Sequence, residues 1–236
     1  MIDLNWLTAR PIAHRGFHDL NRECWENTLP AFQAAIDRSY AIECDVHLSK
    51  DGVPMVFHDD ELGRLAGQPG HVWNKTAAEL RQMRIGETKA AIPSLNDALD
   101  LVSGRVPLIV ELKGSGEHGE GLVAAVAARL KAYEGPCAMM SFDHRLVRRF
   151  RTEAAGIPAG LTAEGRGARD MEAHFSMLAN GLSFVSYNVD DLPNPFVTFV
   201  RERLAMPVIT WTIRDETGVE ATRRHADQIT FEGFAA

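Results

Sequence analysis

Eight short apolar runs recur along this chain, with helix-like segments between most of them. That alternation constrains the fold more than any other feature. The runs cover residues 11–16, 41–49, 106–114, 137–143, 157–163, 182–188, 206–213 and 227–232. The segments between them carry helix periodicity and start signals. Thr28 precedes Ala31-Phe32-Gln33-Ala34-Ala35-Ile36, and Asp143 precedes Leu146, Val147 and Phe150. Pro93-Ser94 precedes Leu95, Ala98 and Leu99, with Asp97 placed to complete a cap. Strands alternating with helices imply a parallel sheet. Eight such units predict a closed (β/α)8 TIM barrel, with an open doubly wound sheet as the alternative. The chain's 236 residues suit one such barrel, read as a single domain over 1–236. No Gly-x-Gly-x-x-Gly follows the first strand, which counts against a dinucleotide fold.

One interval, about 49–91, breaks the rhythm and reads as a small insertion after the second barrel strand. Lys50-Asp51-Gly52 is a turn signal, and 53–57 reads as a short strand. Gly63, Gly67, Pro69 and Gly70 mark irregular backbone, and 76–84 has the pattern of one short helix.

Polar clusters stand at the ends of runs that otherwise read as buried strands. They are His14-Arg15-Gly16, Glu43-Cys44-Asp45 and Glu111-Leu112-Lys113, with His58-Asp59 after the insertion's strand. Successive strand side chains alternate faces. Ile42, Cys44, Val46 and Leu48 therefore share one face, and Glu43, Asp45 and His47 the other. Likewise Leu108, Val110 and Leu112 oppose Ile109, Glu111 and Lys113. Helices cover the outside of a parallel barrel, so the charged set points inward near the C-terminal strand ends. Three carboxylates together repel at roughly 4 kcal/mol per pair, for about 4 Å and an effective dielectric near 20. A cation relieves that repulsion. Oxygen-only ligands favour one hard divalent ion, Mg²⁺ or Ca²⁺, at Glu43, Asp45 and Glu111. The competing reading is a structural ion-pair network with Arg15 and Lys113. His14 and His58 are candidates for acid/base catalysis. Arg15 and Lys113 suit phosphate oxygens. Trp211 either packs or stacks on a glycerol-like alcohol. Glu26 reads as a supporting partner, and His47 shares the carboxylate face.

The formal net charge of −7 argues against nucleic acid as a partner but leaves room for a small phosphate ester. The opening Met1-Ile2-Asp3-Leu4-Asn5-Trp6 has no leader pattern, and no apolar run approaches membrane-spanning length, so no membrane anchor is expected. Cys24, Cys44 and Cys137 are sparse, as expected of reduced thiols in a cytoplasmic protein, with a Cys24–Cys44 disulfide as the alternative. No segment specifies an oligomeric state.

The ordered set His14-Arg15-Gly16, Glu26-Asn27-Thr28, Ile42-Glu43-Cys44-Asp45-Val46, Asp51-Gly52-Val53-Pro54 and His58-Asp59 resembles the glycerophosphodiester phosphodiesterase family. Ile92-Pro93-Ser94-Leu95, Glu111-Leu112-Lys113 and Trp211-Thr212-Ile213 continue the resemblance in order. The resemblance implies a TIM barrel with an insertion after its second strand. It implies a divalent cation at Glu43, Asp45 and Glu111, and His14 and His58 as the acid/base pair. It also implies Arg15 and Lys113 near the phosphate. The implied reaction is hydrolysis of a small-molecule glycerophosphodiester to sn-glycerol 3-phosphate and an alcohol. The alternatives are a lysophospholipase D-like phosphodiesterase, a non-catalytic phosphate-ester binding barrel and an unrelated metal-dependent lyase. Two positions depart from the family pattern. Leu62-Gly63-Arg64 runs into Leu65-Ala66 where the family has Thr-Thr, and the last strand reads Ile229-Thr230-Phe231-Glu232-Gly233 in place of a Thr-Asp element.

Overall fold

A computed structural model describes residues 3–114 and 116–236. Met1 and Ile2, where the segment without a leader pattern begins, lie outside the described residues. The barrel strands are β1 (Ile12–Ala13), β2 (Ala41–Leu48), β4 (Leu108–Leu112), β5 (Cys137–Ser141), β6 (Ala159–Ala163), β7 (Phe184–Asn188), β8 (Val208–Ile213) and β9 (Gln228–Phe231). They are parallel, and β1 pairs with both β2 and β9 to close the ring. The extra strand β3 (Pro54–Val56) lies antiparallel on β2. All eight expected barrel strands are present, so the TIM barrel stands. The first is shorter than its apolar run, because the chain turns at Arg15-Gly16, both of which take positive φ.

The expected helix starts are in place. Helix α2 (Leu29–Asp37) begins where Thr28 Oγ1 accepts the Ala31 N–H at 3.3 Å. The short helices α3 (Gly63–Ala66) and α4 (Ala77–Leu80) lie in the insertion. Helix α5 (Leu95–Val102) carries the reciprocal Ser94–Asp97 cap, and α7 (His144–Glu153) starts under the Asp143 carboxylate. Helices α6 (Leu122–Lys131), α8 (Ala168–Met177), α9 (Pro195–Leu204) and α10 (Glu216–His225) complete the outer ring. The sequence reading did not anticipate α1 (Asn5–Thr8). It puts Leu7 into the inner core with Ile12, Ala41, Ile109, Phe184 and Ile209.

Strand parity divides the packing. Ile42, Cys44, Val46, Leu108, Val110 and Leu112 pack outward against the helices. Ala41 and Ile109 face the interior. Their partners in parity, Glu43, Asp45, Glu111 and Lys113, therefore also point inward, one and two steps closer to the C-terminal ends. Register sets Asp45 directly beside Glu111. All three cysteines are free, and Cys44 lies buried on the outward face of β2.

The insertion has its own core of Met55, Phe57, Leu62, Leu65, Val72, Leu80, Ile85 and Ile92. The helix expected over 76–84 is shorter, limited to α4 behind a Thr76–Glu79 capping box, and the chain beyond Leu80 runs in turns that carry Met83 and Ile85 to the same core. Leu65 and Ala66 are buried there too. Their departure from a hydroxyl pair thus changes packing within the insertion, while the neighbouring Arg64 reaches the site. Phe57 immediately precedes His58 and is fully buried. Phe57→Ala should cost about 3–5 kcal/mol. A urea midpoint within experimental error of the parent's would refute this account of the insertion.

Candidate active site

The C-terminal strand ends surround a cavity of about 400 Å³ that contains all eight sequence-nominated site residues. At its base, one oxygen from each of Glu43, Asp45 and Glu111 lies within 4.8 Å of the others. All three side chains are buried. Lys113 Nζ pairs with Asp45 Oδ1 at 2.9 Å and with Glu111 Oε1. Arg15 Nε lies 3.3 Å from Asp45 Oδ2, and the Arg15 backbone N–H donates to Glu43 Oε2 at 3.0 Å. Asn27 Nδ2 donates to Asp45 Oδ2 at 2.8 Å.

Arg15 and Asn27 both adopt the left-handed backbone region that side chains usually avoid. The Asn27 N–H bonds the Arg15 carbonyl at 2.9 Å and ties the two turns together. Gly16 supplies the positive φ between them, and a Cβ there would lie 2.8 Å from the Phe32 ring and 2.9 Å from Ala31. The turn therefore packs directly on α2 and fixes where Arg15 projects.

Charge in this cluster is unequally shared. Burial pushes Asp45 up, but Lys113 and then Arg15 outweigh it and hold the carboxyl well below its usual range. Burial raises Glu43 well above the ordinary carboxylate value, and Asp45 and Glu111 add to it. Glu43 Oε1 is buried without a hydrogen-bond partner. Arg15 and Lys113 thus neutralise only part of the set, and the remaining deficit sits at Glu43. Three hard oxygens with one of them orphaned suit a divalent cation.

Both candidate histidines are oriented through Nδ1. His14 Nδ1 donates to Glu232 Oε2 at 2.6 Å, and His58 Nδ1 donates to Asp59 Oδ1 at 2.7 Å. These bonds place the proton on Nδ1 and leave Nε2 as the exchanging nitrogen. His14 Nε2 lies 4.0 Å from Glu43 Oε2. Burial lowers the His14 imidazole below its ordinary value, against the opposing bond from Glu232. Burial likewise opposes ionisation of Glu232, yet its bond from His14 and then the nearby His18 ring hold it well below the usual carboxylate range. His47 does not line the cavity; its Nε2 donates to the His58 carbonyl at 3.0 Å and fixes the backbone there. Trp211 lines the cavity wall, with its ring 5.2 Å from Phe142 in a T-shaped contact.

Sequence reasoning missed Glu232, Asp59 and Arg64 as site partners. Arg64 donates to both Asp59 oxygens at 2.7 Å and to both Glu26 oxygens at 2.9 and 3.1 Å. Glu26 also accepts from Arg15 at 2.7 Å and from Asn21 at 2.6 Å. The insertion is thereby bolted to the barrel through one guanidinium.

A closed parallel barrel with a buried acidic set and two carboxylate-bonded histidines at its C-terminal mouth defines the chain as a TIM-barrel protein whose polar cavity lies where barrel enzymes keep their active sites. The model of the Glycerophosphoryl diester phosphodiesterase family matches residues 14–233, and the chain belongs to this family of enzymes. Bacillus subtilis YhdW is 27% identical over 217 residues, 87% of this chain and 86% of that one. A glycerophosphodiester phosphodiesterase of Caldanaerobacter subterraneus is 30% identical over 160 residues, 64% of this chain and 65% of that one. An Oleispira antarctica phosphodiesterase, solved in complex with the product sn-glycerol-3-phosphate, superposes with a TM-score of 0.79 and 26% identity. That match covers 95% of this chain and 92% of the other.

The Arg64 bridge has a pH signature. Burial raises Glu26, but Arg64 and then Arg15 outweigh it and hold the carboxyl at about 2, below its ordinary 4.5. Asp59 is likewise held at about 2, burial being outweighed by Arg64 and then His58. Stability from such depressed groups is complete above their unfolded values and is lost as pH falls through the folded ones. Arg64→Met should therefore lower the denaturant midpoint most at neutral pH and progressively less between about pH 4.5 and pH 2. A midpoint difference that stays constant from pH 7 to pH 3 would contradict the bridge.

Proposed function

We propose that the protein hydrolyses glycerophosphodiesters to sn-glycerol 3-phosphate and an alcohol. The observation that carries this reading is the meeting, in one cavity, of the orphaned Glu43 oxygen and two histidines fixed through Nδ1. Glu43, Asp45 and Glu111 would hold the divalent cation, Mg²⁺ or Ca²⁺. When bound, that ion polarises the phosphoryl group and offsets its developing charge.

The chain's own residues do the rest. Arg15 and Lys113 hold phosphate oxygens and orient the diester, with the Arg15 turn locked by Asn27 and Gly16. His14 and His58 serve as the general acid/base pair through Nε2. One removes the proton of the attacking nucleophile, a water or the neighbouring glycerol hydroxyl, and the other protonates the departing alkoxide; where the hydroxyl attacks, water opens the resulting cyclic phosphate in a second step with the two roles exchanged. Glu232 and Asp59 keep each ring in its working tautomer and stabilise it when protonated. Trp211 and Phe142 wall the cavity against water. The sparse free thiols fit a cytoplasmic enzyme, and no helix among the described residues is long and apolar enough to cross a membrane.

One observation favours the lysophospholipase D-like reading. Leu20, at the rim of the same cavity, is 51% exposed, and Phe142 is 39% exposed. A substrate panel separates the two readings. Release of choline, the product common to both, should be faster from glycerophosphocholine than from lysophosphatidylcholine, with glycerol 3-phosphate formed from the former. Faster turnover of lysophosphatidylcholine would favour the other reading.

His14→Ala and His58→Ala should each slow turnover by about 10²–10⁴-fold. Near-parental rates in either variant would remove that histidine from the mechanism. Chelation by excess EDTA should abolish turnover, and added Mg²⁺, Ca²⁺ or Mn²⁺ should restore it. Full activity in the chelator would exclude the carboxylate set as a cation site.

A further inference from the structure

Arg214, Glu232 and His14 stand side by side, one step past the ends of β8, β9 and β1. The Glu232 N–H donates to the Ile213 carbonyl at 3.0 Å, and the His14 N–H donates to the Phe231 carbonyl at 2.9 Å. These two backbone bonds extend the β8–β9 and β9–β1 ladders by one residue each, so strand register fixes the row.

The row shares one carboxylate. Arg214 donates to Glu232 Oε1 through Nε and a terminal nitrogen, each at 2.8 Å. His14 Nδ1 donates to Oε2 at 2.6 Å. A second ring competes for Oε2. His18 Nδ1 accepts the Leu20 N–H at 3.2 Å, which puts the His18 proton on Nε2. That Nε2 faces Glu232 Oε2 at 3.7 Å and makes no hydrogen bond. A carboxylate turns readily about its terminal bond, where the torsional preference is broad. The bond to His14 alone therefore does not decide which oxygen, or which ring, is paired. The guanidinium does, because its two N–H groups anchor Oε1 and leave Oε2 to the histidines.

We propose that Arg214 is a positioning residue for His14: by anchoring Glu232 Oε1, it holds Oε2 against His14 Nδ1 in preference to His18 Nε2, and so keeps His14 Nε2 aimed into the cavity. The proposal rests on the phosphodiesterase reading and deepens it with a residue that acts through Glu232. Arg214 also lines the cavity, so direct contact with a substrate phosphate is the competing role. The two roles change different constants. Misplacing a reacting group by about 1 Å costs roughly 100-fold in the chemical step. Loss of a uniform binding contact raises KM and leaves kcat alone. The Arg214 side chain is 64% exposed, so replacing it removes no core packing.

Arg214→Met should lower kcat for glycerophosphocholine by about 10- to 100-fold, with KM within about threefold of the parent's. Arg214→Lys keeps a charged donor without the fork and should recover most of the loss. In a Glu232→Gln background, Arg214→Met should change kcat by less than about threefold, because the two residues act as one unit. Ring-nitrogen NMR spectra of the histidine-labelled full chain, recorded with Mg²⁺ present, supply a readout independent of rate. The parent should show His14 protonated at Nδ1, with a downfield proton from its short bond, and Arg214→Met should shift or lose that signal. A raised KM with unchanged kcat in Arg214→Met overturns the proposal and makes Arg214 a substrate contact. Effects of Arg214→Met and Glu232→Gln that multiply also overturn it. So does a parent spectrum with the His14 proton on Nε2, an arm that needs no variant to fold. The spectra need no turnover. Absence of glycerol 3-phosphate release by the parent therefore refutes the phosphodiesterase reading alone, and turnover that Arg214→Met leaves unaltered refutes the positioning role alone.

Discussion

Glu43, Asp45 and Glu111 stand together in a buried space, and the rest of the site answers to their mutual repulsion. Lys113 and Arg15 neutralise part of it from the interior face. Asn27 adds a neutral donor to Asp45, and the Arg15 backbone adds one to Glu43. Even so, Glu43 keeps one oxygen with nothing to bond. Burying such a group is costly on its own account, and in the proposed function a divalent cation offsets that cost. The strained turns at Arg15 and Asn27 belong to the same logic, since they bring donors to carboxylates that regular strand geometry would leave bare.

The two histidines depend on different parts of the molecule. His14 belongs to the barrel and is aligned by its last strand. His58 belongs to an insertion with a separate apolar core, which reaches the barrel through β3, through the His47 contact with the His58 carbonyl and through Arg64. Glu26 gathers Arg15, Asn21 and Arg64, so one carboxylate links the Arg15 turn to the insertion. The spacing between the histidines is thus set by contacts between two cores and not by either one alone.

The barrel was legible in the sequence because period-2 alternation survives in β2 and β4. There, charged residues interrupt only the inward face, and their direction follows from parity. The caps at Thr28, Ser94 and Asp143 were legible for a similar reason, since each acts within a few residues. What was hidden depended on long-range closure. Glu232 lies 218 positions from the histidine it orients, and only the pairing of β1 with β9 brings them together. Arg64 was hidden because α3 is a single turn among glycines, too short for a period to predict direction. The short α1 left no periodic signal, being a single turn.

The closure of β1 on β9 also has a consequence for the order in which the protein becomes competent. The three acids, both cations and His58 are all made within the first half of the chain. The carboxylate that orients His14, Glu232, directly follows β9 and comes after all of them in the chain. The acidic set therefore meets through the pairing of β2 with β4 alone, whereas His14 is aligned only once β9 has paired with β1. The final strand works as a latch, and the fully oriented site arises only when the ring has closed.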